Sequence, residues 1–193
     1  LHHAITTPLF PVILDNDVFS IFQQKKYATS EIILNTRFAA GERYIQNGNQ
    51  RISFGNNKAP VFNLYYIVGL KGLLSSDFNY QNIIFTVSNR FKMSTLGYSQ
   101  VFLKVGKEFS TVPYPLLEIP RGNETPLYGN NVFNQMSYLE FVSDQYFEAF
   151  WQHHFNGLFF NRIPLVKKLN WREVVGLNMA YGTLSNKNKQ YNA

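Results

Sequence analysis

Apolar and polar residues alternate with a period of two along most of this chain. Between Gln145 and Phe155, Phe147, Ala149, Trp151 and Phe155 fall on one side, and Glu148, Gln152 and His154 on the other. Successive side chains of an extended strand point to opposite faces, so the pattern predicts a strand with one apolar and one polar face. Asn156-Gly157 follows, a pair that tolerates the positive φ angles of a tight hairpin. Alternation resumes from Arg172 to Thr183, with Val175, Leu177, Met179 and Tyr181 opposite Arg172, Asn178 and Gly182.

The same rhythm marks the chain before it. From Ser30 to Ile45 a strand carries Ile32, Leu34, Phe38 and Ala40 against Glu31, Asn35 and Arg37; Asn47-Gly48-Asn49 is a turn, and Arg51 to Phe54 begins the return. Pro60 lacks a backbone donor and belongs at a strand start. Val61 to Leu70 then sets Phe62, Leu64, Tyr66 and Val68 against Asn63, Tyr65 and Gly69. Between Tyr80 and Met93, Ile83, Phe85, Val87 and Phe91 oppose Asn82, Thr86, Ser88, Arg90 and Lys92. Leu96-Gly97 turns the chain, and Val101, Leu103, Val105 and Phe109 face away from Gln100, Lys104 and Glu108. Residues 1–29 read as a connector, with Phe19 to Tyr27 a short helix or part of that connector.

Period alone does not separate a soluble antiparallel sheet from a membrane one. Strand length and the charges on the polar face do. Strands of about 10 to 14 residues exceed the usual soluble length of about five or six, and about ten tilted residues cross a bilayer's hydrocarbon layer. The expected fold is therefore all-β: an incomplete antiparallel transmembrane β-barrel over residues 30–193, about seven or eight strands of a larger one. The segment from Thr111 to Asn134 breaks the pattern. Pro113, Pro115, Pro120 and Pro126 exclude regular pairing, and Leu116, Leu117 and Ile119 require that it fold back onto something.

Composition sharpens this picture. Of 193 residues, 17% are aromatic, including 18 Phe and 12 Tyr, and only 16% are charged, a mix that suits barrels ringed by aromatics at each membrane interface. A soluble, aromatic-rich β-sandwich binding module has the same composition. With no cysteine there is neither a disulfide framework nor a thiolate metal site. The net charge of +6 is scattered, with no basic helix or RNA-binding signature, so nucleic acid is not an expected partner. No run of 18 or more apolar residues is present, and no signal sequence opens the chain. Both ends are expected to fall inside a larger protein.

Several long strings carry a resemblance: GLKGLL (69–74), TVPYPLLEIPRGNE (111–124), YLEFVSDQY (138–146), HHFNGLFFNRIPLVKKLNWREVVG (153–176) and YGTLSNKN (181–188). In these the chain resembles, over residues 30–190, the barrel region of Bacteroidota outer-membrane proteins that pair an N-terminal carboxypeptidase-regulatory-like module with a barrel domain of unknown function. The resemblance implies an outer-membrane barrel distantly similar to the BamA-like assembly and translocation superfamily. Arg121-Gly122 is a loose counterpart of that superfamily's arginine-glycine motif, which sits on a loop tucked into the barrel. The regulatory-like module names a fold, and no peptidase activity follows from it.

No catalytic, cofactor or metal site is expected. His153 and His154 are adjacent, so a regular strand aims them at opposite faces and they do not share an ion. His154 shares the polar face with Glu148 and Gln152. Ser143 and Asp144 lie near the histidines in sequence only, which is no evidence for a hydrolase triad. Charged groups in a membrane-spanning wall face the interior, so Arg90, Lys92, Lys104, Glu140 and Glu148 are expected to form a ladder there. Glu118, Arg121, Gly122 and Glu124 are the candidate loop residues, and Lys167, Lys168 and Arg172 are placed to meet lipid phosphates at the rim. The expected partners are outer-membrane lipid and other outer-membrane or periplasmic proteins. The leading role is protein insertion or translocation at the bacterial outer membrane; the alternative is a channel or passive transporter with a charged lumen.

Overall fold

The computed structural model describes residues 2–6, 27–42, 44–48, 50–53, 59–123, 125, 127–137 and 139–192. The described chain is mostly antiparallel sheet. Its strands are β1 (His2–Thr6), β2 (Tyr27–Ala39), β3 (Tyr44–Asn47), β4 (Gln50–Ser53), β5 (Val61–Gly69), β6 (Tyr80–Lys92), β7 (Tyr98–Glu108), β8 (Gln145–His154) and β9 (Val174–Thr183). Seven of them form one sheet in the order β1-β2-β5-β6-β7-β8-β9, and β3 and β4 form a separate hairpin. Each strand of the large sheet pairs antiparallel with the next, so it is a meander with one hairpin inserted. β1 joins it from within the stretch read as a connector; residues 19–26 lie outside the described residues.

The periodicity sets the faces. Register aligns Thr86, Lys104, Glu148 and Ala180 across β6 to β9, and Val105, Phe147 and Tyr181 across the other face. Among the described residues nothing covers the apolar face: Leu34, Phe38, Leu177 and Tyr181 are each more than 60% exposed. Side chains on it pack only sideways, as in the ring row Phe38, Phe62, Phe85, with centroids 6.4 and 6.1 Å apart. No helix among the described residues is long and apolar enough to cross a membrane.

Two expectations about turns fail. The strand expected from 30 to 45 stops at Ala39, where Gly41, at φ 67°, turns the chain and β3 begins a new hairpin. Asn156 and Gly157 do take positive φ, 55° and 84°, but they do not close a tight hairpin. They instead start a connection that runs through a 3-10 turn (Phe160–Arg162) and α1 (Pro164–Lys167) before β9. Turn-forming residues encode a local bend; how far the chain runs before the next strand depends on what that bend packs against. The Leu96-Gly97 turn is tight as expected, with the Met93 N–H donating to the Gly97 carbonyl at 2.8 Å.

A small core lies where the β5–β6 connection, the β7–β8 connection and the C-terminal helix α2 (Asn186–Tyr191) meet. Tyr80, Val112 and Leu117 are buried there with Ile67, Phe78, Leu116, Val142 and Leu184 around them. Tyr80 and Tyr146 lie flat over Gly69 and Gly106 of the neighbouring strands, where a Cβ would stand 2.2 Å from each ring.

Candidate functional site

The 109–144 connection folds back over the polar face of β7, β8 and β9. Its prolines prevent it from adding a strand, and it is held by isolated contacts instead. Glu118 and Ser143 exchange two backbone hydrogen bonds of 3.0 Å, closing the base of the loop. Further along, Phe133 N–H donates to the Arg121 carbonyl at 2.8 Å and Asn123 N–H to that of Met136 at 3.1 Å. Gly122 sits in this second constriction. A Cβ there would meet the Met136 and Ser137 carbonyl oxygens at 2.5 and 2.8 Å, so only glycine fits.

The loop tip docks on the sheet through Phe133, whose ring lies 4.7 Å from that of Phe150 on β8. Beside it Asn178 donates to the Val132 carbonyl at 3.1 Å, and Gln152 Nε2 to the Tyr128 hydroxyl at 2.6 Å. Phe133 and Phe150 are buried, and the tilted ring pair adds about 0.5–1.5 kcal/mol beyond the area it removes from water. The sequence did carry a signal for this dock. Phe102 and Phe150 interrupt the polar side of β7 and β8, and they are cross-strand partners. An apolar pair on a polar face implies a cover.

Charge is concentrated beneath the loop base. Lys104 Nζ is 2.5 Å from Glu118 Oε1 and 3.9 Å from Glu148 Oε2, and 4.9 Å from the centre of the Tyr146 ring. Arg121 lies within electrostatic reach of Glu148. Two carboxylates and two cations therefore balance across the junction of loop and sheet. The expected ladder is not continuous beyond this. Glu140 caps its own turn by accepting the Ser137 N–H at 3.0 Å, and Lys92 is exposed at the end of β6. Arg90 instead covers the Tyr98 ring at 3.9 Å, and the His154 ring stacks on the same Tyr98 ring at 4.4 Å. Glu148 is six residues from His154 along an extended strand, about 20 Å, too far for one hydrogen-bonded cluster. Glu124 lies outside the described residues.

The histidines point to opposite faces. His153 Nδ1 is 2.7 Å from Ser99 Oγ and its Nε2 2.9 Å from the Leu96 carbonyl, which fixes the ring at the β6–β7 turn. Asp144 is nine residues from His153 along the strand, about 30 Å, so no triad forms. Among the described residues no group of three or more His, Cys, Asp or Glu side chains is placed to hold a metal ion. Two clefts flank the loop tip. One of about 870 Å³ is lined by Tyr128, Glu140, Phe141, Gln152, His154 and Gly176. The other, about 500 Å³, is lined by Arg37, Arg90, Gln100, Asn130 and Phe150 among others.

The loop's first arm is held from the far side by α2. Asn188 accepts the Val112 N–H at 3.0 Å and donates to the Ser110 carbonyl at 3.3 Å. One helical turn later, Asn192 accepts the Tyr114 N–H at 2.7 Å and donates to the Val112 carbonyl at 3.0 Å. Residues four apart on a helix and two apart on an extended chain advance by similar distances, about 6 to 7 Å. The two amides thus replace a neighbouring strand. Asp144 completes the latch, accepting from Asn188 Nδ2 and the Ser185 N–H at 2.9 Å each. Burial raises its pKa, but the donors at Ser185 and Asn188 outweigh that and hold it below the usual carboxylate range. Nothing in the sequence pattern marked these asparagines.

Residues 6–192 match the model of a family described as "Family of unknown function (DUF5686) C-terminal domain", and the chain belongs to that family. No curated protein and no solved structure matches it.

Proposed function

We propose that this member of the family is part of the wall of an outer-membrane β-barrel, without enzymatic activity, and that it serves the insertion or translocation of other proteins in the manner of BamA-like barrels. One observation carries the membrane reading. Strands of 9 to 13 residues expose a predominantly apolar face, interrupted by Thr36, Asn89 and Lys107, while the opposite face holds charges and a docked loop. Each large side chain left in water forfeits about 1.5–3 kcal/mol, and a soluble binding module has no means of covering such a band. Lipid tails cover it at no cost, and the strands are long enough to cross them. The polar face then surrounds an interior in which charged groups are tolerated because they pair.

The insertion role draws on the family resemblance and on the Arg121-Gly122 segment, which lies on a loop anchored to the inner wall. The 870 and 500 Å³ clefts beside the loop tip favour a second reading, a channel whose loop narrows the lumen. Leu177→Arg tests the membrane. Leu177 is 65% exposed near the middle of β9. A bilayer imposes about 2–4 kcal/mol on an arginine at mid-depth, whereas an exposed site on a soluble protein changes by less than about 0.5 kcal/mol. Denaturant titration of the lipid-reconstituted chain distinguishes the two, and an unaffected variant refutes the reading. Co-purification of unfolded outer-membrane proteins supports insertion; a steady current in planar bilayers without such clients supports the channel.

A further inference from the structure

The β8–β9 connection, residues 155–173, is a large exposed surface that the loop and its site do not use. It is a built structure. The Glu173 carboxylate accepts the Phe159 N–H at 3.0 Å and also the Phe160 N–H, and Arg172 Nη1 donates to the Asn156 carbonyl and Asn161 Oδ1 at 3.4 and 3.3 Å. On this frame Ile163, Leu165, Leu169 and Trp171 stand in the open, Leu165 at 79% exposure. Arg162, Lys167 and Lys168 are interleaved with them and exposed. Residues 155–172 contain no acidic side chain, and Glu173, which follows, takes two backbone donors on its Oε1. The connection leads directly into the exposed apolar face through Val175 and Leu177.

We propose that this connection is an interfacial anchor that lies in the headgroup layer and binds anionic phospholipids, its apolar side chains among the upper acyl chains and its cations on the phosphates. The proposal rests on the membrane reading above. Exposed bulky apolar side chains alternating with lysine and arginine suit a surface that is greasy below and negatively charged above. Continuity with the lipid-facing strands sets the connection at the depth where that surface lies.

The two tryptophans make the test separable. Trp151 is on the apolar face within β8 and Trp171 is on the connection. The full chain carrying Trp171→Phe or Trp151→Phe is reconstituted in phosphatidylcholine vesicles with or without phosphatidylglycerol, and quenching by lipids brominated at different depths is read. Bromines deep in the chains are expected to quench Trp151, and bromines near the headgroups Trp171, more strongly when phosphatidylglycerol is present. Arg162→Gln with Lys167→Gln and Lys168→Gln is expected to cut Trp171 quenching by about twofold or more and abolish its dependence on phosphatidylglycerol, leaving Trp151 unchanged. If Trp171 stays open to acrylamide and indifferent to phosphatidylglycerol while Trp151 is quenched deeply, the connection faces water or a protein and the proposal falls alone. If Trp151 escapes the deep bromines, the membrane reading falls with it.

Discussion

Removing the Asn188 side chain should free the first arm of the loop without disturbing the sheet. Asn188 is 2% exposed and Val112 0%, so water does not readily replace what is lost. Asn188→Ala strands the buried Val112 N–H, at a cost of about 1–3 kcal/mol, and deprives the Asp144 carboxylate of a donor, at about 1.5–3 kcal/mol. The longer bond to the Ser110 carbonyl, 3.3 Å, adds little. Allowing for local relaxation, about 3 kcal/mol of latch stability should go. Each 1.4 kcal/mol is about a factor of ten, so the Val112 amide should exchange with deuterium about 100-fold faster. Asn192→Ala is the internal control, because it strips the Tyr114 N–H and the Val112 carbonyl but leaves the Val112 N–H on Asn188, and Asn192 is only half-buried. Site-resolved hydrogen exchange on the lipid-reconstituted chain reads both. Acceleration at Val112 below about threefold would refute the latch. So would equal acceleration throughout β8 and β9, which would mean that the helix stabilises the sheet as a whole.

Three further outcomes follow from the same contacts. Because the folded pKa of Asp144 is depressed, its contribution is complete above the unfolded carboxylate value, about 4, and is lost as pH falls through the folded value; Val112 protection should hold from neutral pH down to about 5 and decay only in stronger acid, and protection that persists unchanged in that stronger acid would count against the carboxylate. Lys104→Met leaves Glu118 and Glu148 repelling one another, and with side chains 17% and 19% exposed at the closer pair the cost is about 1–3 kcal/mol; exchange at the Glu118 and Ser143 amides should rise and bilayer conductance increase, whereas Arg121→Ala, which keeps the Arg121 carbonyl that holds Phe133, should do less on both counts. Gly122→Ala forces a methyl against two main-chain oxygens and should cost about 1–3 kcal/mol, seen as loss of the ordered Phe133 ring signal in spectra of the reconstituted protein.

Much of the candidate site was present in the sequence as residue types but not as partners. Glu118, Arg121 and Gly122 were legible because a proline-rich segment with apolar content has to dock somewhere. Lys104 read as one rung of a ladder, and only the fold shows that its main partner is Glu118 on the loop. Phe133 was hidden inside the irregular stretch, although Phe102 and Phe150 on the wrong face of their strands announced its dock. Asn188 and Asn192 carried no signal in the apolar–polar pattern. An asparagine amide bonds any backbone it meets, and these meet residues 76 to 80 positions away.

By itself the sequence determined neither β1 nor the end of β2 at Ala39, but it did determine most strands of the large sheet and which side of each is apolar. Both are local consequences of side chains alternating along an extended backbone. It also determined that residues 111–134 stand outside the sheet, since proline removes the donors that pairing needs. Only the tertiary structure decided that the strands meander in chain order with one hairpin set aside, that the loop lies on the polar face, and that a C-terminal helix fastens it there. Those choices are made by contacts between distant segments, where burial and hydrogen-bond geometry select one partner among many that the chain offers equally.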